Sequence, residues 1–332
     1  MKAMLLRKPG PIARDRLGLE EVPTARPGPG EVRIKVRACG VCHTDLHTCE
    51  GELPGGKLPV IPGHEIVGVV DELGQGVRRW QVDDRVGAAW LHRACGACDF
   101  CARGNENLCE GALFTGHTAD GGYAEYFLAP ADFIYPIPRG FSDREAAPLL
   151  CAGIVGYRAL RLSDLKPGGR LAVFGFGASA HICVQVARHW GCEVLVFTRS
   201  AEHQELARKL GAAWVGQAGE EPPRKADSAI IFAPAGDLVA VALESLRKGG
   251  TLALGGIHMN EIPPLDYNRH LYYERTIRSV ANSTRQDGHD LLRIAAEIPI
   301  RVETVPFPLE KANEALRHLK ARQVTGAAVL EP

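Results

Sequence analysis

The rhythm of hydrophobic and polar residues changes near Asp143. Before that point, apolar residues alternate with polar ones or come in short bursts. Val32, Ile34 and Val36 alternate with Arg33, Lys35 and Arg37, which predicts a half-buried antiparallel strand. Met4-Leu5-Leu6, Ile66 to Val70 and Arg85 to Trp90 share that texture. Gly and Pro separate these runs, most densely at Pro27-Gly28-Pro29-Gly30, and predict turns. No segment here carries the period of a long helix, so residues 1–152 are expected to form a mainly β, loop-rich domain.

Beyond Asp143 the pattern lengthens. A helix is expected from Glu145 to Leu160, then a turn at Lys166-Pro167-Gly168-Gly169 and an apolar strand from Arg170 to Phe174. Gly175-Phe176-Gly177-Ala178-Ser179-Ala180 follows, then a helix from His181 to Trp190 and a strand from Glu193 to Phe197. Strand, glycine turn, helix, strand is the mononucleotide-binding unit of a doubly wound sheet. Gly175 permits the tight turn, and Gly177 lets a pyrophosphate approach the backbone. The phosphates then meet free N–H groups at the helix N-terminus. Helical runs at Gln204 to Leu210 and Leu238 to Leu246, with strands at Ala229 to Phe232 and Thr251 to Leu254, extend the alternation. The expected fold class is α/β, with a Rossmann parallel-sheet domain over residues 153–282. A strand from Arg275 to Val280, helices from Gln286 to Ile298 and Leu309 to Arg322, and a strand from Ala327 to Leu330 complete the chain. Residues 283–332 are expected to return to the first domain and leave a cleft between the two.

The end of the second Rossmann strand reads out cofactor choice. A carboxylate there would hold the adenosine ribose 2′-OH and repel a 2′-phosphate. This chain has Thr198-Arg199-Ser200 instead. A guanidinium between two hydroxyls suits a 2′-phosphate, which favours NADP(H) over NAD(H).

Ten cysteines add a second chemistry. In a chain of this length without an export signal, they point to metal binding or catalysis before disulfides. Cys95, Cys98, Cys101 and Cys109 supply four thiolates at C-x-x-C-x-x-C…C spacing, enough to close a tetrahedral structural zinc over the lobe 92–110. An iron–sulfur cluster is the competing reading, but Glu110 stands where such motifs carry Pro. A zinc ribbon for nucleic acid is disfavoured by the sparse basic residues, Arg93 and Arg103. Cys42, within Gly40-Val41-Cys42-His43-Thr44-Asp45-Leu46-His47, and His64, between Gly63 and Glu65, are further candidate ligands. Glu65 could hold His64 or compete for the metal. Cys39, Cys49, Cys183 and Cys192 read as small buried hydrophobes, and His117 as a structural loop residue.

Lys+Arg and Asp+Glu both number 39, so the basic surface that nucleic acid or an anionic membrane demands is missing. No apolar run approaches the roughly 18 residues of a membrane span, and the N-terminus lacks the apolar core of a signal peptide. A cytoplasmic protein with a small-molecule substrate is expected.

Taken together, the octet Gly40 to His47, Gly63-His64-Glu65, the four-cysteine lobe, Cys151-Ala152-Gly153 and the dinucleotide turn resemble the zinc-dependent medium-chain alcohol dehydrogenases over nearly the whole chain. Phe174 to His181 and Phe197 to Ser200 are most similar to a bacterial subgroup related to the cinnamyl-alcohol-type dehydrogenases. The resemblance implies a GroES-like first domain, two zincs per chain and a homo-oligomer, either dimer or tetramer. It implies a catalytic zinc held by Cys42, His64 and Cys151, a fourth position for water or the substrate oxygen, and Glu65 as an alternate ligand. Asp45 would orient His64. The zinc would act as a Lewis acid on an alcohol hydroxyl, and a hydride would pass to the nicotinamide. Thr44 would take the hydroxyl proton and pass it through the nicotinamide ribose to His47, near solvent, and His43 would touch the pyrophosphate. Leu53 and Trp90 map to pocket walls. Leu53 stands where some small-alcohol relatives carry Trp, which points to primary alcohols and aldehydes of medium length or with aromatic groups. Two departures stand out: Ala178, Ser179 and Ala180 replace a more glycine-rich run, and Thr325-Gly326-Ala327 has Ala where many relatives carry a phosphate-contacting Arg. The alternatives are a polyol or amino-alcohol dehydrogenase on this fold, and a zinc-stapled nucleotide-binding protein without catalysis.

Overall fold

The computed structural model describes every residue except Pro299 and Thr325; of the stretch Thr325-Gly326-Ala327, Thr325 therefore lies outside the described residues. The chain divides into two compact units, Met1–Cys151 with Thr284–Pro332, and Ala152–Ser283.

The first unit is built on the strand Glu31–Val41. Val32, Ile34 and Val36 are buried at 0, 0 and 4% exposure. On the other face Arg33 pairs with Asp71 and Glu72. This strand pairs antiparallel with Glu65–Leu73, Tyr126–Pro130 and Ala327–Glu331. The last of these brings in the C-terminal segment, and Thr304–Pro308 pairs parallel beside it. The register sets Gly40 opposite Glu65 and Val41 opposite Ala328. A Cβ at Gly40 would fall 1.9 Å from the Glu65 carboxylate, so only glycine leaves room for that side chain here.

The octet that follows Gly40 is helical from His43 to Glu50, an element the β texture of this half did not foretell. Its N-cap is Cys42, whose sulfur accepts the Thr44 N–H at 3.4 Å. Asp45 Oδ2 accepts the Cys42 N–H at 2.9 Å and completes a capping box. Gly51 ends the helix at φ 82°.

The continuous helix expected from Glu145 to Leu160 is broken. Asp143–Ala146 is α-helical, Ala147–Leu150 tightens to 3₁₀, and a new helix runs from Ala152 to Leu162. Pro148 has no N–H to give and crowds the preceding turn. Cys151 is left at the break, with φ −127° and ψ −73°.

The second unit is a six-stranded parallel sheet. Its order is Trp214–Gly216, Glu193–Phe197, Arg170–Phe174, Ala226–Ile231, Leu246–Leu254 and Thr276–Ser279. Numbered by sequence within the unit this is 3-2-1-4-5-6, the doubly wound order. The helix after the first strand starts at Ala178, three residues before the expected start, so Ala178, Ser179 and Ala180 form its first turn. No helix among the described residues is long and apolar enough to cross a membrane.

Candidate functional site

Among the described residues, two groups of Cys, His and Glu side chains converge. The first is Cys42, His64, Glu65 and Cys151, whose ligand atoms lie within 4.8 Å of one another. Cys42 caps the helix just described, His64 stands immediately before the strand Glu65–Leu73, and Cys151 sits at the helix break. The sulfurs of Cys42 and Cys151 are 3.8 Å apart, and His64 Nε2 is 3.4 Å from the Cys151 sulfur. Two zinc–sulfur bonds of about 2.3 Å at the tetrahedral angle give an edge of roughly 3.8 Å, so this donor set fits zinc.

Asp45 organises the group. Its Oδ1 accepts the Gly63 N–H at 3.1 Å and lies 3.0 Å from His64 Nδ1. Nδ1–H therefore donates to the carboxylate, which turns Nε2 toward the Cys151 sulfur. Asp45 is 1% exposed and His64 0%. Burial works against a charged His64 ring, yet the Asp45 carboxylate, by its charge and its hydrogen bond, holds the ring's pKa well above its ordinary value. Cys42 is drawn well below the usual thiol range, first by its contact with Cys151 and then by His64; Cys151 is pushed up by the same contact. Burial pushes Glu65 well above the carboxylate range, with the Cys42 charge next. One thiolate, a second thiol in reach and an oriented imidazole whose Nε2 proton a metal would displace are what a divalent ion of borderline softness would complete.

Thr44 is buried, its hydroxyl 3.6 Å from the Cys42 sulfur. His47 lies three residues on, on the same side of the helix, half-buried, with Nδ1 against the Glu52 carboxylate. Sequence reasoning missed Glu52, because its position in the loop carries no motif. His43 is exposed, its ring 6.5 Å from that of His47. The Trp90 ring meets the His64 ring edge-on at 5.1 Å and stacks on Phe114 at 5.1 Å. Phe114 was also missed, since nothing local to it links it to Trp90. Leu53 is half-buried in the loop after the helix.

The second group is Cys95, Cys98, Cys101 and Cys109. Cys95 and Cys101 sulfurs lie 3.9 Å apart, again close to a tetrahedral edge. The N–H groups of Ala97 and Cys98 donate to the Cys95 sulfur at 3.5 and 3.3 Å and lower its pKa to about 6. Cys39, Cys49, Cys183 and Cys192 are buried apart from both groups.

In the second unit Gly175 takes φ 86°, and a Cβ there would meet the Ala233 backbone N at 2.9 Å. Gly177 caps the helix Ala178–His189, and a Cβ on it would meet nothing within 4 Å, so the backbone is open to a ligand. His181 Nε2 donates to the Phe176 carbonyl at 3.1 Å and steadies the turn. Ala180 is fully buried, as a residue packing helix against sheet must be. Thr198 is buried at the strand end, while Arg199 and Ser200 are exposed. Ser200 Oγ accepts the His203 N–H at 3.4 Å as a helix cap, which leaves its hydroxyl proton free to donate.

Residues 28–139 match the family described as "Alcohol dehydrogenase GroES-like domain", and residues 179–297 match "Zinc-binding dehydrogenase". A protein named "Probable alcohol dehydrogenase AdhA" from Mycobacterium tuberculosis is 51% identical over 99% of this chain and 97% of its own length. An "Alcohol dehydrogenase" from Geobacillus stearothermophilus is 39% identical over 95% of this chain and 96% of its own. The solved structure of a cobalt- and zinc-bound thermostable alcohol dehydrogenase from Pyrobaculum aerophilum has a TM-score of 0.89 at 27% identity, covering 100% of this chain and 99% of that one.

Proposed function

Because this chain belongs to the zinc-dependent medium-chain alcohol dehydrogenases, we propose that it interconverts primary alcohols and aldehydes of medium length or with aromatic groups, using NADP(H). The observation that carries this reading is the convergence of half-buried Cys42 with buried His64, Glu65 and Cys151. Cys42, His64 and Cys151 would hold a zinc that supplies Lewis acidity to an alcohol hydroxyl, and Cys95, Cys98, Cys101 and Cys109 would hold a second, structural one. Residues 1–152 with 283–332 form the catalytic part, and residues 153–282 bind the cofactor. The turn Gly175 to Ala180 takes its pyrophosphate, and Thr198, Arg199 and Ser200 its 2′-phosphate. Thr44 accepts the hydroxyl proton, and His47 releases it toward solvent with Glu52 against its ring. Leu53 and Trp90 wall the pocket; the bulk of Trp90 beside His64 and the modest size of Leu53 favour substrates larger than ethanol.

Matched assays of NADPH and NADH over a panel of aldehydes test the reading. NADPH is expected to give the higher kcat/KM, by about tenfold to a hundredfold for a charge-assisted contact, and Arg199→Ala to remove most of that margin. A strong NADH preference would overturn the role given to Arg199. A kcat/KM series that peaked sharply at ethanol would sink the substrate assignment.

Asp45→Asn is expected to lower zinc affinity or turnover about 10- to 100-fold, because the amide cannot match the carboxylate's hold on His64 Nδ1. Metal analysis and kcat on the same preparation check this; unchanged values in both would remove Asp45 from the site.

A further inference from the structure

His117 belongs to neither ligand group, yet the structure places it at a junction of three elements around Trp90. Its side chain is buried, at 5% exposure. Nε2 lies 3.0 Å from the Pro54 carbonyl oxygen. A carbonyl only accepts, so Nε2 carries the proton and donates. In the neutral ring Nδ1 is then an acceptor, and the buried Thr48 hydroxyl stands 3.4 Å away on the helix His43–Glu50. The backbone adds a third tie, as Lys57 N–H donates to the His117 carbonyl at 3.0 Å. The loop also packs on the ring itself: a Cβ on Gly56 would come within 2.8 Å of it. On its flat side the ring stacks with Trp90, centroids 5.9 Å apart and planes 25° from parallel.

We propose that His117 is a positioning residue that sets the width of the substrate pocket by clamping residues 51–57 against Trp90. This rests on the reading that Leu53 and Trp90 wall that pocket. Leu53 lies one residue before Pro54, whose carbonyl the imidazole holds, and Glu52, which holds His47, lies one before that. One ring therefore fixes the backbone beside Leu53 and the plane of Trp90 together. An aliphatic side chain could fill the volume, but it could neither donate to Pro54 nor stack on the indole. The clamp acts on which alcohol fits, not on the transfer itself.

Two variants separate the parts of the clamp. His117→Phe keeps an aromatic face without the hydrogen bonds, and His117→Gln keeps a donor that reaches Pro54 without the face. Amide hydrogen exchange across residues 51–57 is read beside kcat/KM from ethanol to octanol and for benzyl alcohol. In His117→Phe, exchange in the loop is expected to accelerate and the preference for the best alcohol over ethanol to fall about tenfold, mostly in KM, a size typical of pocket-wall discrimination. His117→Gln is expected to keep the loop protected and to lose preference chiefly for benzyl alcohol. A residue that merely supported the fold would lower Tm and scale all alcohols alike. Equal scaling in both variants, or unchanged exchange in His117→Phe, would overturn the proposal. Leu53→Ala and Trp90→Ala tell the two failures apart. If these leave the alcohol profile unchanged, the pocket reading fails; if they shift it while the His117 variants do not, the clamp alone fails.

Discussion

Cys42→Ala is expected to lower kcat/KM for alcohols by about a thousandfold or more, since loss of Lewis-acid stabilisation worth roughly 4 kcal/mol corresponds to that factor. The sulfur has two roles. It lies 3.8 Å from the Cys151 sulfur, so removing it takes one donor from the buried group. It also caps the helix His43–Glu50 through the Thr44 N–H, and that helix carries Thr44, Asp45 and His47. Losing the cap costs about 1 kcal/mol of stability, too little to unfold the unit. Cys42→Ser separates the roles, because a hydroxyl caps well and binds zinc poorly. The serine variant is expected to recover Tm without recovering turnover, with about one zinc per chain in place of two by metal analysis. Turnover within tenfold of the parent enzyme in either variant would exclude Cys42 as a ligand.

Cys109→Ala is expected to strip the metal from the four-cysteine lobe and to lower Tm by roughly 10 °C, taking about 3–4 kcal/mol for the ordering that the metal supplies there. The lobe has little else to order it. Between Cys95 and Cys109 its regular structure is the short helix Asp99–Ala102 and the 3₁₀ turn Glu106–Leu108. Cys109 is buried and accepts the Cys95 N–H at 3.5 Å. Between Cys101 and Cys109, Glu106 is buried and accepts the Arg285 backbone N–H and Nε, at 3.1 and 3.0 Å. Arg285 opens the helix Arg285–Glu297, so loss of lobe order reaches that helix. Limited proteolysis is expected to cut the variant within residues 92–110 first. Retention of two zincs per chain, or a Tm within about 2 °C of the parent, would overturn the structural-zinc assignment.

Much of this was legible along the chain, for reasons that differ by segment. Val32, Ile34 and Val36 announce their strand because a period of two puts one face in the core. Gly175 is readable because a turn that leaves no room for a Cβ demands glycine whatever surrounds it. The lobe cysteines are close in sequence, so their spacing alone implies a shared ion. Other features needed long-range information. The helix of the octet is short and mostly polar, and hydrophobic periodicity has little to report there. The break before Cys151 lies inside an apolar run that reads as one helix, although Pro148 within it cannot supply an N–H. His117 looked like any loop histidine, since its partners Thr48, Pro54 and Trp90 are remote from it.

The sequence by itself determined the two textures of the chain, the dinucleotide turn, the four-thiolate lobe and, through its combined motifs, the family. These depend on neighbours a few residues apart, where backbone sterics and side-chain period act directly. Only the tertiary structure decided that Cys42, His64, Glu65 and Cys151 share one buried site, with Cys42 and Cys151 109 positions apart. The strand register that sets Gly40 against Glu65 and the break that frees Cys151 produce that convergence. Within that site the Asp45 carboxylate raises the proton affinity of His64, and the contact between the two thiols drives theirs apart. A charge or hydrogen bond changes a neighbour's proton affinity most where folding has removed the water between them.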